Sequence, residues 1–261
     1  MDNSYNSVYK EALIFLNTVK PDLIDDKELE KYFCVEKNYK TKNDILEHLL
    51  GSLQNYQRMP NVIKFDNNKK QFRKILLNFD CNKILKKYES YDTLLDAFSK
   101  EFNINKSTFN RKNNSWVKYS KAILSSCVFL QQFKDIDDFD SFVKLFTYNE
   151  STAAALPMLL SKEIYGLGFA LACDFLKELG YDQYPKPDIH LIDVFSELGL
   201  SNRNDFDCYK SIIRMAKQVG ETPYKVDKII WLICSGNYYL HNIKIDSSKK
   251  EFIEYIKEKI V

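Results

Sequence analysis

The 261 residues are 45% hydrophobic and 14% aromatic, enough to fill one large core or two lobes. A formal charge of +2 is nearly balanced, so composition alone does not announce a nucleic-acid binder. The six cysteines, at 34, 81, 127, 173, 208 and 234, show no CxxC pair and no metal or iron–sulfur spacing, which points to a reduced, intracellular protein.

In chain order, the first segment, MDNSYNSVYKEALIFLNTVK, is amphipathic and charged, so it reads as neither a signal peptide nor a membrane span. Val8, Ala12, Phe15, Leu16 and Val19 share one helical face. In DILEHLLGSLQNY the stripe is Ile45, Leu49 and Leu53, with Leu46 and Leu50 beside it. DTLLDAFSKEF predicts a helix capped by Asp92, and SWVKYSKAILSSCVFLQQF one capped by Ser115. ALPMLLSKEIYG is helical by the spacing of Leu156, Leu159 and Leu160. TPYKVDKIIWLICSG has Thr222 as cap, Pro223 at the first helical position and Gly236 near the stop. Seven glycines are few for a turn-rich β fold or a doubly wound sheet. No run approaches the roughly 18 apolar residues of a membrane helix. The expectation is an all-α protein of ten to twelve helices, without repeats or a long linker.

One stretch asks for a special explanation: YGLGFALACDFLKELG at 165 to 180, followed by KPDIHLIDVF. A dinucleotide fingerprint needs a strand before its glycines, and the helical segment before Gly166 argues against that. The other structure is helix, tight glycine turn, helix. Gly166 and Gly168 would permit backbone geometry closed to other residues. Their N–H groups, with the N-terminus of the helix from Phe169, would then face one anion. Ala170 and Ala172 would let the helices lie close, and Leu171, Phe175 and Leu179 would form the buried stripe. A plain helical hairpin without a ligand explains the glycines equally well.

The hairpin from Ile164, IYGLGFALACDFL, and the downstream PDIHLIDVF from Pro187 together resemble the helix-hairpin-helix base-excision DNA glycosylases over residues 156 to 200. HLLGSLQNYQRMP and VDKIIWLICSG bear a fainter likeness to an early and a late helix of that fold. The resemblance implies a two-lobed helical protein with DNA in a cleft between lobes. The first lobe would be 43–160, the hairpin 161–180, and the second lobe 1–42 with 181–261. It implies that Tyr165, Gly166, Leu167 and Gly168 hold a DNA backbone, with a monovalent cation possible at the turn. It also makes Asp188 the catalytic carboxylate. Many relatives carry a lysine two residues after the second glycine. Here Ala170 stands there, which sides with the monofunctional enzymes, and the four-cysteine cluster of some members is missing.

Asp188 also reads as a simple N-cap, since Pro187 starts a helix about here. The two roles are compatible: a carboxylate at a helix N-terminus is favoured as the anion by the dipole. An anion there suits the oxocarbenium-like sugar formed when an N-glycosidic bond breaks. His48, His190 and His241 have no i, i+4 pairing, so no metal site is expected. Asp193 falls where relatives often have a basic residue.

Residues 102 to 134 contain no acid and carry Lys106, Arg111, Lys112, Lys118, Lys121 and Lys134 among Phe109, Trp116 and Tyr119. This is either a backbone-tracking surface, with Arg111, Lys112 and Lys118 as contacts, or a solvated loop and amphipathic helix. Gln54, Tyr56, Gln57 and Trp116 are candidates for wedge or base pocket, each equally explicable as core or surface. The expectation is a monomeric, cytoplasmic DNA glycosylase that hydrolyses the bond to a damaged or modified base in duplex DNA. It would need no cofactor, have no lyase activity and make no membrane contact. Lys162 or Lys186 would be the substitutes if a lyase amine exists. The alternative is a hairpin that binds DNA without chemistry.

Overall fold

The structure, a computed structural model, describes residues 2–56, 59–111 and 113–260. It is all-α apart from one two-residue β-hairpin. In chain order the helices are α1 (Asp2–Val19), α2 (Asp26–Glu30), α3 (Lys42–Gln54), α4 (Met59–Ile63), α5 (Lys69–Ile75), α6 (Cys81–Lys87), α7 (Tyr91–Glu101) and α8 (Ser115–Gln131). There follow α9 (Ile136–Leu145), α10 (Glu150–Glu163), α11 (Phe169–Glu178), α12 (Ile189–Glu197), α13 (Asp205–Val219) and α14 (Pro223–Ser235). Strands β1 (Asn237–Tyr238) and β2 (Ile243–Lys244) pair antiparallel, and α15 (Lys249–Ile260) ends the described chain. Fifteen α-helices among the described residues exceed the expected ten to twelve. The surplus is in pieces such as α2 and α4, at five residues each, which are too short to show a hydrophobic period.

The chain divides into two compact units. One comprises residues 1–37, 149–154 and 176–261. Its core is the apolar face of α1, with Val8, Ala12 and Leu16 at most 2% exposed, packed against α13, α14 and α15. Helix α12 packs on α13, α14 and α15, which fixes where its N-terminus, and so Asp188, is presented. No helix among the described residues is long and apolar enough to cross a membrane.

The other unit comprises residues 38–148 and 155–175. Helix α8 is its spine, packed on by α3, α4, α6 and α7. The core is aromatic: Phe72, Phe98, Phe102 and Trp116 have ring centroids 5.0 to 6.2 Å apart. Such rings bury large areas at fixed geometry, which suits a framework that presents exposed loops.

Two caps differ from expectation. Ser90 caps α7, and Asp92 instead lies in the first turn, where its charge still favours the dipole. Asn114 caps α8, one residue before Ser115, because its side chain accepts from Val117 N at 3.0 Å. Thr222, Pro223 and Gly236 bound α14 as the sequence predicts.

Gly236 is required by its surroundings. Its φ is +61°, and an added Cβ would land on Ile245 O and within 2.8 Å of Asp246 O, the backbone that β2 leads into. Gly236→Ala should therefore lower stability by about 1–3 kcal/mol. Gly168→Ala, with no atom within 4 Å of the new Cβ, should change it by less than about 0.5 kcal/mol. Urea unfolding of the two variants beside the parent checks both.

Candidate nucleic-acid interface and carboxylate site

The hairpin between α10 and α11 lies in the second of these units. Ile164 and Leu167 are each 1% exposed and pin the turn, while Tyr165, Gly166 and Gly168 are exposed. Leu167 N donates to Ile164 O at 3.2 Å, and Tyr165 N donates to Ser125 Oγ of α8 at 2.9 Å. Gly168 O accepts the first bond of α11, from Ala172 N at 2.9 Å. The opening N–H groups of α11 have no intrahelical acceptor and lie next to an exposed turn, an arrangement suited to an anion. Only Gly166, at φ +77°, needs glycine's freedom. Gly168 has no positive φ and no crowding, so the fold does not explain its small size, contrary to the expectation for both glycines. Ala172 and Phe175 of α11 and Leu179 just after it are fully buried, whereas Leu171 and Ala170 are half-buried.

Beside the turn, the same unit has a cavity of about 180 Å³ lined by Leu53, Tyr56, Met59, Lys118, Ala122, Tyr165 and Gly166. Four of the residues singled out in the sequence thus meet: Tyr56, Lys118, Tyr165 and Gly166. The Lys118 ammonium lies 5.3 Å from the Tyr56 ring centre, and Lys121 lies over Tyr91 at 4.4 Å and Tyr165 at 5.7 Å. Arg111 is exposed in the loop before α8. Lys106 is paired with Asp96 at 2.6 Å.

Two wedge or pocket candidates are corrected. Gln54 is 7% exposed, and its amide is committed at both ends, Nε2 to Asp66 at 2.9 Å and Oε1 to Phe65 N–H at 2.8 Å. It secures the turn after α4 and has no face left for a base. Trp116, also 7% exposed, belongs to the aromatic core. Gln57 and Lys112 lie outside the described residues.

Asp188 belongs to the first unit and is the N-cap of α12, with φ −81° and ψ 178°. Its Oδ1 accepts from His190 N at 2.9 Å and Leu191 N at 3.3 Å. The second oxygen takes no part in the cap. Behind it stands a pair that sequence reasoning missed. Asp227 of α14 is 1% exposed; its Oδ2 accepts from Lys177 Nζ of α11 at 3.3 Å and from Lys186 N at 2.7 Å. Lys177 is itself buried. Next to Asp227, the Lys228 ammonium lies 4.9 to 5.3 Å from the ring centres of Tyr224, Trp231 and Tyr239. The available signal was a charge at an apolar position: Asp227 falls three residues before Ile230 and seven before Cys234, on a buried stripe.

The electrostatics of Asp188 depart from the expectation of a dipole-stabilised anion. Burial and the neighbouring Asp227 carboxylate raise its pKa above the ordinary carboxylate range. His190, the Leu191 N–H and Lys186 pull the other way and do not win. Asp193 is bridged by Lys249 at 2.7 Å and Arg203 at 2.6 Å, which commits it to structural cations. His241 bonds Tyr32 and Glu28, and His190 Nδ1 is buried without a hydrogen-bond partner among the described residues. Among the described residues no group of three or more His, Cys, Asp or Glu could hold a metal ion.

No protein-family model matches the chain, and no curated protein matches it. Among solved structures, it is similar to that of the Methanocaldococcus jannaschii 8-oxoguanine glycosylase/lyase in complex with 15mer DNA containing 8-oxoguanine. The identity is 17%, covering 86% of this chain and 95% of that one, with a TM-score of 0.49.

The raised pKa of Asp188 makes a stability prediction. Its contribution to stability is fully present below the ordinary carboxylate pKa and is lost as pH rises through the folded-state value. Near neutral pH the buried anion therefore costs stability. Asparagine keeps the cap at a loss of a few tenths of a kcal/mol. Asp188→Asn should melt no lower than the parent near neutral pH, and its relative advantage should shrink as the pH falls into the carboxylate range. Melting curves of both proteins across that interval check this.

Proposed function

We propose that the protein is a DNA glycosylase that hydrolyses the N-glycosidic bond of a damaged or modified base and leaves an abasic site. The observation that supports this reading best is Asp188. Its carboxylate is held by two backbone N–H groups through one oxygen, with the other oxygen outside the cap, on the N-cap of a helix that follows an exposed glycine hairpin in the chain. In this reading the hairpin amides and the Arg111 and Lys118 side chains hold phosphates of duplex DNA. Tyr56 and the cavity beside Tyr165 are the stacking surface for a displaced or neighbouring base. A monovalent cation at the turn would be held by the neutral carbonyls of Tyr165, Gly166 and Leu167 and would add positive charge beside a phosphate.

The chemistry assigned to Asp188 is electrostatic. As the glycosidic bond lengthens, positive charge develops on the deoxyribose, and an ionised carboxylate facing it stabilises that charge and orients the attacking water. The burial that raises its pKa also leaves the anion less solvated, and so more responsive to a cation than an exposed aspartate would be. Without a lysine at position 170 the reading has no Schiff-base step, and Lys177 is engaged with Asp227. The protein would act as a monomer in the compartment that holds the DNA.

The deciding experiment is single-turnover excision on duplexes that each carry one lesion. Asp188→Asn should excise at least about 10²-fold more slowly, equivalent to about 2.7 kcal/mol of transition-state stabilisation, while binding DNA as well as or better than the parent. The parent rate should rise with pH along a limb centred above the ordinary carboxylate range. Equal rates for parent and variant would leave Asp188 as a cap only and favour DNA binding without chemistry.

Binding and product offer separate checks. Affinity for duplex DNA should fall steeply with salt, and Gly168→Val should weaken binding to every sequence alike. The product strand should stay intact until alkali is added. A covalent adduct trapped by borohydride would overturn the monofunctional assignment and direct attention to Lys162 or Lys186.

A further inference from the structure

Residues 185 to 188 read Pro-Lys-Pro-Asp. Neither proline has an N–H, so the only backbone donors in this stretch belong to Lys186 and Asp188. Both are used. Lys186 N donates to Asp227 Oδ2 at 2.7 Å, and Asp188 N donates to Lys186 O at 2.8 Å. One residue, Lys186, thus links the two carboxylate residues: its N–H, in the peptide after Pro185, donates to Asp227, and its C=O, in the peptide before Pro187, accepts from the Asp188 N–H. Pro185 and Pro187 are buried, which removes the room for this segment to swing. Asp227 is in turn held by Lys177 through the same oxygen that receives the Lys186 N–H. A buried ion pair is a poor way to gain stability, because an apolar pair of similar volume often does as well. Nor does a neutral apolar pair offer an acceptor for the Lys186 N–H.

We infer that Asp227, clamped by Lys177, is a positioning residue for Asp188: it anchors the Lys186 peptide that delivers Asp188 to the head of α12 and places a second negative charge behind it. This is more than a packing role, since the anchor is a charged acceptor whose loss alters both where Asp188 sits and how readily it ionises. The groups facing Asp188 are Asp227 and Cys234 of α14, Cys208 of α13, Lys186 of the preceding loop and His190 of its own helix, with Lys177 of α11 behind Asp227. Burial opposes ionisation of Asp188 most, and of these groups Asp227 is the one whose charge adds to it. Only the rate arm of the test below rests on the glycosylase reading.

The test is a carboxyl-carbon NMR titration of the full chain labelled at aspartate, with the Asp188 resonance identified by its absence from Asp188→Asn. In Asp227→Asn the Asp188 midpoint should fall, because the opposing charge is gone and Lys177 remains, while burial keeps it from falling all the way to that of a free carboxylate. Lys177→Met with Asp227→Asn together restores a matched neutral pair and should move the midpoint in the same direction by less. It also supplies the measurement if the single variant does not fold. An unchanged midpoint in the folded variants overturns the inference. In single-turnover excision, the acidic limb should move down with the midpoint. Asp227→Ala, which removes the acceptor, should lower the plateau about tenfold or more, with partial rescue in Asp227→Asn, whose amide oxygen still accepts the Lys186 N–H. A plateau for Asp227→Ala equal to the parent's also overturns it. If the midpoint moves as expected while the parent excises no lesion, the positioning role stands and the glycosylase reading fails.

Discussion

An ammonium and a carboxylate taken out of water, Lys177 and Asp227, set the terms for everything around Asp188. Each ion loses its hydration on burial, and the loss is tolerable only when the remaining lone pairs and protons find partners. Here the Asp227 carboxylate takes the Lys177 ammonium and the Lys186 N–H. That second bond turns an electrostatic necessity into a mechanical one: the loop before α12 has to run where Asp227 can reach it. The two prolines around Lys186 narrow the loop further, so Asp188, the N-cap of α12, is delivered to one place.

Asp188 stands where two opposing rules meet. A helix N-terminus and two cap bonds favour the anion, whereas burial and a neighbouring carboxylate favour the acid. The second pair prevails. A cap chosen for stability alone would be better exposed and away from Asp227. Under the proposed reading this tension would serve the site, because an anion poorly satisfied in the resting state interacts more strongly with a cation that appears during reaction.

The unit containing the hairpin solves a different problem. Its core is built of rings, so the exposed turn at 165–168 and the start of α8 rest on a rigid base. Lysines then lie on the aromatic rims, Lys118 over Tyr56 and Lys121 over Tyr165 and Tyr91, which concentrates positive charge and flat apolar surface beside the turn. That combination suits a polyanion carrying stackable bases, and it is assembled from α7, α8 and the turns after α3 and α10, far apart in sequence.

Sequence by itself determined what depends on near neighbours along the chain. The helical periods of α1, α3 and α8, the cap and stop of α14, the turn at Gly166 and the start of α12 at Asp188 are all set by local spacing and by what glycine and proline permit. Short helices such as α2 and α4 escaped because five residues carry no period. Only the tertiary structure decided which polar side chains are spent internally. Gln54 looked available for a base and is consumed by Asp66 and Phe65, and Trp116 looked like a stacking platform and is core. It alone brought Lys177 and Asp227 together, fifty residues apart in the chain. The physical reason is that a charge's partner and its hydration are properties of space, so neither a buried ion pair nor the pKa it imposes on Asp188 can be read from positions along a chain.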